Sequence, residues 1–142
     1  MANTTEVAVR AMRFDGRQSC VITWADGEPS LADLTDKFEY LGLRPVTHRP
    51  ESGVGSFGSI HEFTFEPLQF NDSALDKMAQ AFDAAVAGHT QLDIYSRLIG
   101  TANITWRDAA LVRAICRFLL QADIGFSESY IVDTLAQGPG FV

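Results

Sequence analysis

Apolar and polar positions run along this chain with two periods, and the strand-like one dominates the first half while the second half is helical. From Val7 to Phe14, Val7, Val9 and Ala11 alternate with Ala8, Arg10 and Met12, which predicts a strand ended by the turn Asp15-Gly16. Cys20 to Trp24 predicts a second strand, closed by Ala25-Asp26-Gly27-Glu28-Pro29. Ser30 is placed to cap a helix, with Asp33 three residues on in capping-box spacing. Leu31, Leu34, Phe38 and Leu41 recur at helical intervals, and Gly42 is a natural stop.

Arg44 to Arg49 predicts a third strand, and Pro45 and Pro50 confine it to a sheet edge. A glycine-rich loop follows. Ile60 to Glu66 is the clearest strand, with Phe63 and Phe65 on one side and Glu62, Thr64 and Glu66 on the other. Asn71, Asp72 and Ser73 offer caps for a helix reaching Ala87, lined by Leu75, Met78, Phe82 and Ala85 and ended by Gly88. The order strand, strand, helix, strand, strand, helix predicts an α+β sandwich, an antiparallel sheet covered on one face. From about Thr90 the pattern is helical throughout. Thr101 to Leu135 reads as two helices joined by a short polar break.

Composition narrows the function classes. A hydrophobic share of 46% in 142 residues supports a real core. A chain of this size buries roughly two-thirds of the surface it exposes when unfolded. The formal net charge of −7 argues against nucleic acid and anionic membranes as partners, which require a basic surface. No apolar run approaches the roughly 20 residues of a membrane span. MANTTEVAVR lacks the charged and apolar regions of a signal peptide. Cys20 and Cys116 lie far apart without a CxxC pairing, which reads as reduced and cytoplasmic.

Few residues suggest chemistry. Gly53-Val54-Gly55-Ser56-Phe57-Gly58 matches G-x-G-x-x-G, but a dinucleotide site requires a strand before it and a helix opening at it. Pro50 and Glu51 precede this loop and a strand follows it, so it reads as a hairpin loop and not a nucleotide site. His48, His61 and His89 show no metal-ligand spacing and read as surface or strand-edge residues. No G-x-S-x-G elbow is present. Cys116 lies in an apolar helical run and reads as a buried, inert thiol.

Two features remain as candidate sites. Asp26, Gly27 and Ser30 form a turn entering a helix N-terminus, where free N–H groups could hold the carboxylate of a small amino acid. Asp26 and Glu28 would repel such an anion, which favours a plain loop. Arg113, Arg117 and Gln121 fall at i, i+4 and i+8, a polar stripe beside an apolar face of Ala110, Ala114 and Phe118. Such a stripe could grip carboxylates or a partner domain, although a solvated helix face is its commoner meaning.

Several blocks appear in a familiar order. They are Ile104 to Asp108, Leu111 to Ala114, then Arg117, Leu119 and Gln121, and finally Phe126, Ser127, Tyr130, Ile131 and Leu135. Upstream stand Ser30 to Asp33, Tyr40 to Val46, Arg49 to Glu51 and Ile60 to Phe63. Together they resemble the large bacterial NAD-specific glutamate dehydrogenases over roughly residues 20 to 135. In that family the segment resembling Ile104 to Leu135 follows a series of small ACT-like domains and leads into the catalytic domain. Ile115, Cys116 and Leu120 depart from the family pattern, which weakens a role for the whole basic stripe.

The resemblance implies a ferredoxin-like (ACT-like) domain over residues 1–89 and a helical motif over 90–142. A strand after the second helix is not found, and the strand at Val7 can fill that place from the N-terminal side. The implied function is a non-catalytic regulatory or assembly fragment of an enzyme that deaminates glutamate to 2-oxoglutarate. No cofactor is expected in the fragment, and NAD is expected in the parent. Expected partners are other domains of the parent chain, a homo-oligomer of the parent and an amino-acid effector. An autonomous amino-acid-binding module is the alternative. Trp106, Arg107, Arg113, Arg117 and Gln121 are the expected interdomain contacts. Trp106 is expected to anchor the helix pair, with Phe126 and Tyr130 stapling the last helix to it. The ending from Gly138 to Val142 reads as the edge of an excised piece.

Overall fold

The structure, a computed structural model, describes residues 11–15, 19–24, 30–52 and 58–138. It is α+β. Among the described residues are four antiparallel strands, β1 (Ala11–Asp15), β2 (Ser19–Trp24), β3 (Pro45–Ser52) and β4 (Ser59–Phe65), in the order β1-β2-β4-β3. They also contain five helices, α1 (Leu31–Leu41), α2 (Asp72–Val86), α3 (Arg97–Thr101), α4 (Trp106–Gln121) and α5 (Glu128–Gln137). A single 3₁₀ turn, Ile94–Ser96, precedes α3.

Alternation sets the inner face of the sheet. Cys20 pairs with Phe14 and Phe63, and Ile22 pairs with Met12 and His61. Met12, Cys20, Ile22, His61 and Phe63 are buried, whereas Glu62 and Arg13 one residue out of phase are exposed. The strand predicted at the edge by its two prolines is at the edge, because among the described residues β3 pairs with β4 alone. His61 corrects the sequence reading. It shares the parity of Phe63 and Phe65 and is 4% exposed, so it belongs to the core face. Its Nδ1 lies 2.8 Å from Nε2 of His48, its Nε2 lies 3.1 Å from Oγ of Ser59, and the His48 ring stacks on Phe63.

The helices cover this face as their caps direct. Ser30 accepts the Asp33 N–H and Asn71 accepts the Ala74 N–H, each satisfying a free donor of the first turn. Gly42 ends α1 at φ +80°, a conformation that costs other residues steric energy. Phe38 is the centre of the core, in contact with the rings of Phe63, Phe65 and Phe82. Leu31 and Ala85 were expected to line the buried faces. Leu31 is half exposed in the first turn of α1, and on α2 Ala81 and Ala84 are buried while Ala85 is only partly so.

Edge strand β1 is tied to α2 by the Met12 N–H donating to Oδ1 of Asp83 at 2.9 Å. Burial pushes the Asp83 carboxyl above its usual range, against the opposing pull of that hydrogen bond. Burial also pushes the Cys20 thiol up to about 12, so it remains a neutral core group.

Candidate functional site

The helical segment is mounted directly on the sheet core. Ile99 of α3 and Ala109 of α4 are buried within the same cluster as Phe38, Phe63 and Phe82, and Ile104 and Trp106 pack against it. Gly100 lets α3 approach α2: a Cβ there would lie 2.9 Å from the Phe70 ring and 3.1 Å from Sδ of Met78. Lys77 on α2 donates to the Asn103 carbonyl at 2.7 Å and to its side-chain oxygen at 3.1 Å, holding the turn before α4. A second cluster, built on Tyr95, Leu98, Cys116 and Val132, joins the 3₁₀ turn to α3, α4 and α5.

Thr105 caps α4 through a capping box with Asp108, and Ser127 caps α5. The Thr105 hydrogen bonds hold the Asp108 carboxyl below its usual range. Trp106 opens α4 partly buried, with the Arg107 guanidinium over its ring at 4.5 Å.

Within the polar stripe of α4, Arg113 turns inward. Arg113 forms a fork on Asp93, with Nε on Oδ2 and Nη2 on Oδ1 at 3.1 Å, and Nη2 also reaches the Gln91 carbonyl at 3.1 Å. Asp93 in turn caps the 3₁₀ turn, accepting the Tyr95 N–H at 3.0 Å. Arg117 lies 3.7 Å from Asp93 and donates from Nε to Glu128 at 3.2 Å. The Tyr95 hydroxyl donates to the same Glu128 oxygen at 3.0 Å. Burial and this acidic partner push the Tyr95 hydroxyl up, so it stays a donor. Burial likewise raises the Cys116 thiol. Asp93 and Glu128 are the residues that sequence reasoning missed. Each precedes or opens a helical turn with an N-cap nearby, and that was the available signal.

Of the predicted contact residues, Arg113 and Arg117 are thus engaged within the segment, Trp106 and Arg107 pair with each other, and Gln121 is exposed. Ser30 is exposed at the start of α1, and Asp26 and Gly27 lie outside the described residues, as do residues 53–57 of the glycine loop. Between the two halves, Glu39, Tyr40, Arg44 and Arg97 border an open cavity of about 520 Å³. Among the described residues no cluster of His, Cys, Asp and Glu could hold a metal ion, and no helix is long and apolar enough to cross a membrane.

Phe118 is 73% exposed, so the face of α4 bearing Ala114 and Phe118 points away from the segment, and Ala109, Val112 and Cys116 pack inward. One further expectation is overturned. Phe126 and Tyr130 stack on each other at 5.2 Å but are both more than half exposed. The staple of α5 is Val132, 1% exposed, flanked by Ile131 and Leu135.

Comparison with known proteins places this arrangement. The family described as glutamate dehydrogenase, helical motif 3, matches residues 90–142. The NAD-specific glutamate dehydrogenase of Halomonas elongata is 36% identical over 115 residues, covering 77% of this chain. The chain belongs to the NAD-specific glutamate dehydrogenase family. The Pseudomonas aeruginosa member is 37% identical over 125 residues, 82% of this chain, and the Mycobacterium tuberculosis member 27% over 135 residues, 85% of it. The matched stretch is only 7% of the Halomonas glutamate dehydrogenase and 8% of the other two. Within this family, the Asp93–Arg113 fork and the Glu128 cluster lie inside the matched helical motif.

Proposed function

We propose that these residues form a non-catalytic regulatory and assembly region of an NAD-dependent glutamate dehydrogenase. The parent enzyme deaminates glutamate to 2-oxoglutarate, and NAD binds in a part of the polypeptide outside these residues. The sheet half is ACT-like. What supports this is the order β1-β2-β4-β3, with α1 crossing from β2 to β3, which fits a ferredoxin-like sheet with β1 in the last strand's place. The parent works in the cytoplasm as a homo-oligomer, and this region meets its neighbouring domains.

The observation that carries this reading is the joint between the halves. Ile99, Ala109 and Trp106 of the helical segment share the core of the sheet, so the segment is a rigid mount suited to positioning a neighbouring domain. The family membership supplies the enzyme, and the small share of each relative covered supports a fragment. An immunoblot of cell extract with an antibody against this chain tests it. A band far above 15.6 kDa is expected, and a band at 15.6 kDa would overturn the reading.

A further inference from the structure

Helix α4 carries two apolar faces, and the fold covers one. Ala109, Val112 and Cys116 pack inward. On the opposite side Leu111, Ile115 and Phe118, at i, i+4 and i+7, are 61%, 51% and 73% exposed, and Leu119 beside them is 42% exposed. Between Ala109 and Gln121 the charged residues are Arg113 and Arg117, and both are drawn to Asp93 and Glu128. Charge is therefore absent from the outer stripe over three turns of helix. Its four side chains expose on the order of 400 Å² of apolar surface, the size class in which exposed patches serve binding.

We propose that this outer stripe of α4 is a docking surface for an apolar helix from a neighbouring region of the same long polypeptide. The inference rests on the parent-enzyme reading above. A straight i, i+4, i+7 row is the footprint of helix-on-helix packing. Two observations choose a tethered occupant over a second copy of this chain. The patch falls short of the about 800 Å² per partner that stable free association uses. A covalent tether raises the occupant's effective concentration to roughly millimolar, which lets a patch of this size hold its partner. The relatives hold more than nine-tenths of their length outside the matched stretch, and a tethered occupant has its source there.

The test is thiol accessibility in the native-length protein. Phe118→Cys is introduced into the gene, extract is treated with a maleimide-polyethylene glycol before or after urea, and the product is sized by immunoblot against the unsubstituted protein. Cys20 and Cys116 are buried and stay silent until urea is added. The expected result is a heavy band whose new thiol labels about tenfold or more slowly in native extract than in urea. Leu111→Cys should behave alike, which separates masking from a local defect at one position. A heavy band that labels at once in native extract would overturn the docking surface and leave the parent reading standing. Protection that vanishes when the heavy species is diluted to monomer would make a second subunit the cover and overturn the tethered occupant. A band at 15.6 kDa would overturn both the parent reading and this inference.

Discussion

Arg113 holds Asp93 in a two-pronged grip that fastens the middle of α4 to the cap of the 3₁₀ turn. The two side chains are only 16% and 22% exposed, so little water screens them. Asp93→Ala removes the cap and strands the guanidinium, and is expected to cost about 3 kcal/mol in urea denaturation. Arg117→Ala should cost under about 1 kcal/mol, because that arginine is 55% exposed. Equal losses in the two variants would show that the fork has no special weight.

Asp83 should make stability fall as pH rises through the weakly acidic range. Burial raises its folded pKa above the unfolded value, so the folded chain binds more protons between the two. The stabilisation is present below the unfolded pKa and is lost as pH climbs through the folded one. Asp83→Asn keeps an oxygen for the Met12 N–H and removes that titration. Denaturation midpoints of both proteins from acid to neutral pH should diverge in the variant's favour as pH rises, and parallel curves would exclude the effect.

The Asp108 carboxyl carries the opposite sign. Its folded pKa is lowered by Thr105, so its contribution is present above the unfolded pKa and disappears as pH falls through the folded one. Thr105→Ala is expected to cost about 1 kcal/mol of stability at neutral pH, the usual weight of an N-cap. Its deficit against the parent protein should shrink in strong acid, which thermal melts at two pH values will measure.

Gly100→Ala places a methyl group 2.9 Å from the Phe70 ring. Overpacking of this kind costs about 1–3 kcal/mol. A melting temperature unchanged from the parent protein would mean that Phe70 can move aside freely.

On α5, Val132→Ala should cost about 2 kcal/mol, because Val132 is 1% exposed, whereas Tyr130→Ala should stay within about 0.5 kcal/mol in the isolated chain. A reversal of that ranking in chemical denaturation would restore Tyr130 as the staple.

Local chemistry was legible in the sequence. Ser30 and Asn71 cap their helices, Gly42 stops α1, and Phe63 and Phe65 face the core, because each signal needs only its neighbours in sequence. His61 was misread although it shares the parity of those phenylalanines. Its polarity suggested the surface, and its contacts with His48 on β3 and with Ser59 make burial tolerable. On α4 the sequence left the inward face open. The helix has apolar residues on two sides, and periodicity cannot say which one a distant element covers. The inward face is the one that packs Ala109, Val112 and Cys116 and brings Arg113 to Asp93, 20 positions away.

The close approach at Gly100 has a mechanical meaning. With α3 lodged against Met78 and Phe70, and Ile99 sunk among the sheet's side chains, the described path from sheet to α4 runs through packed atoms. Interiors packed to crystal density yield little under load. A push on the outer stripe of α4 would therefore arrive at α2 and the strand beneath it as displacement, in the manner of a crank keyed to its shaft.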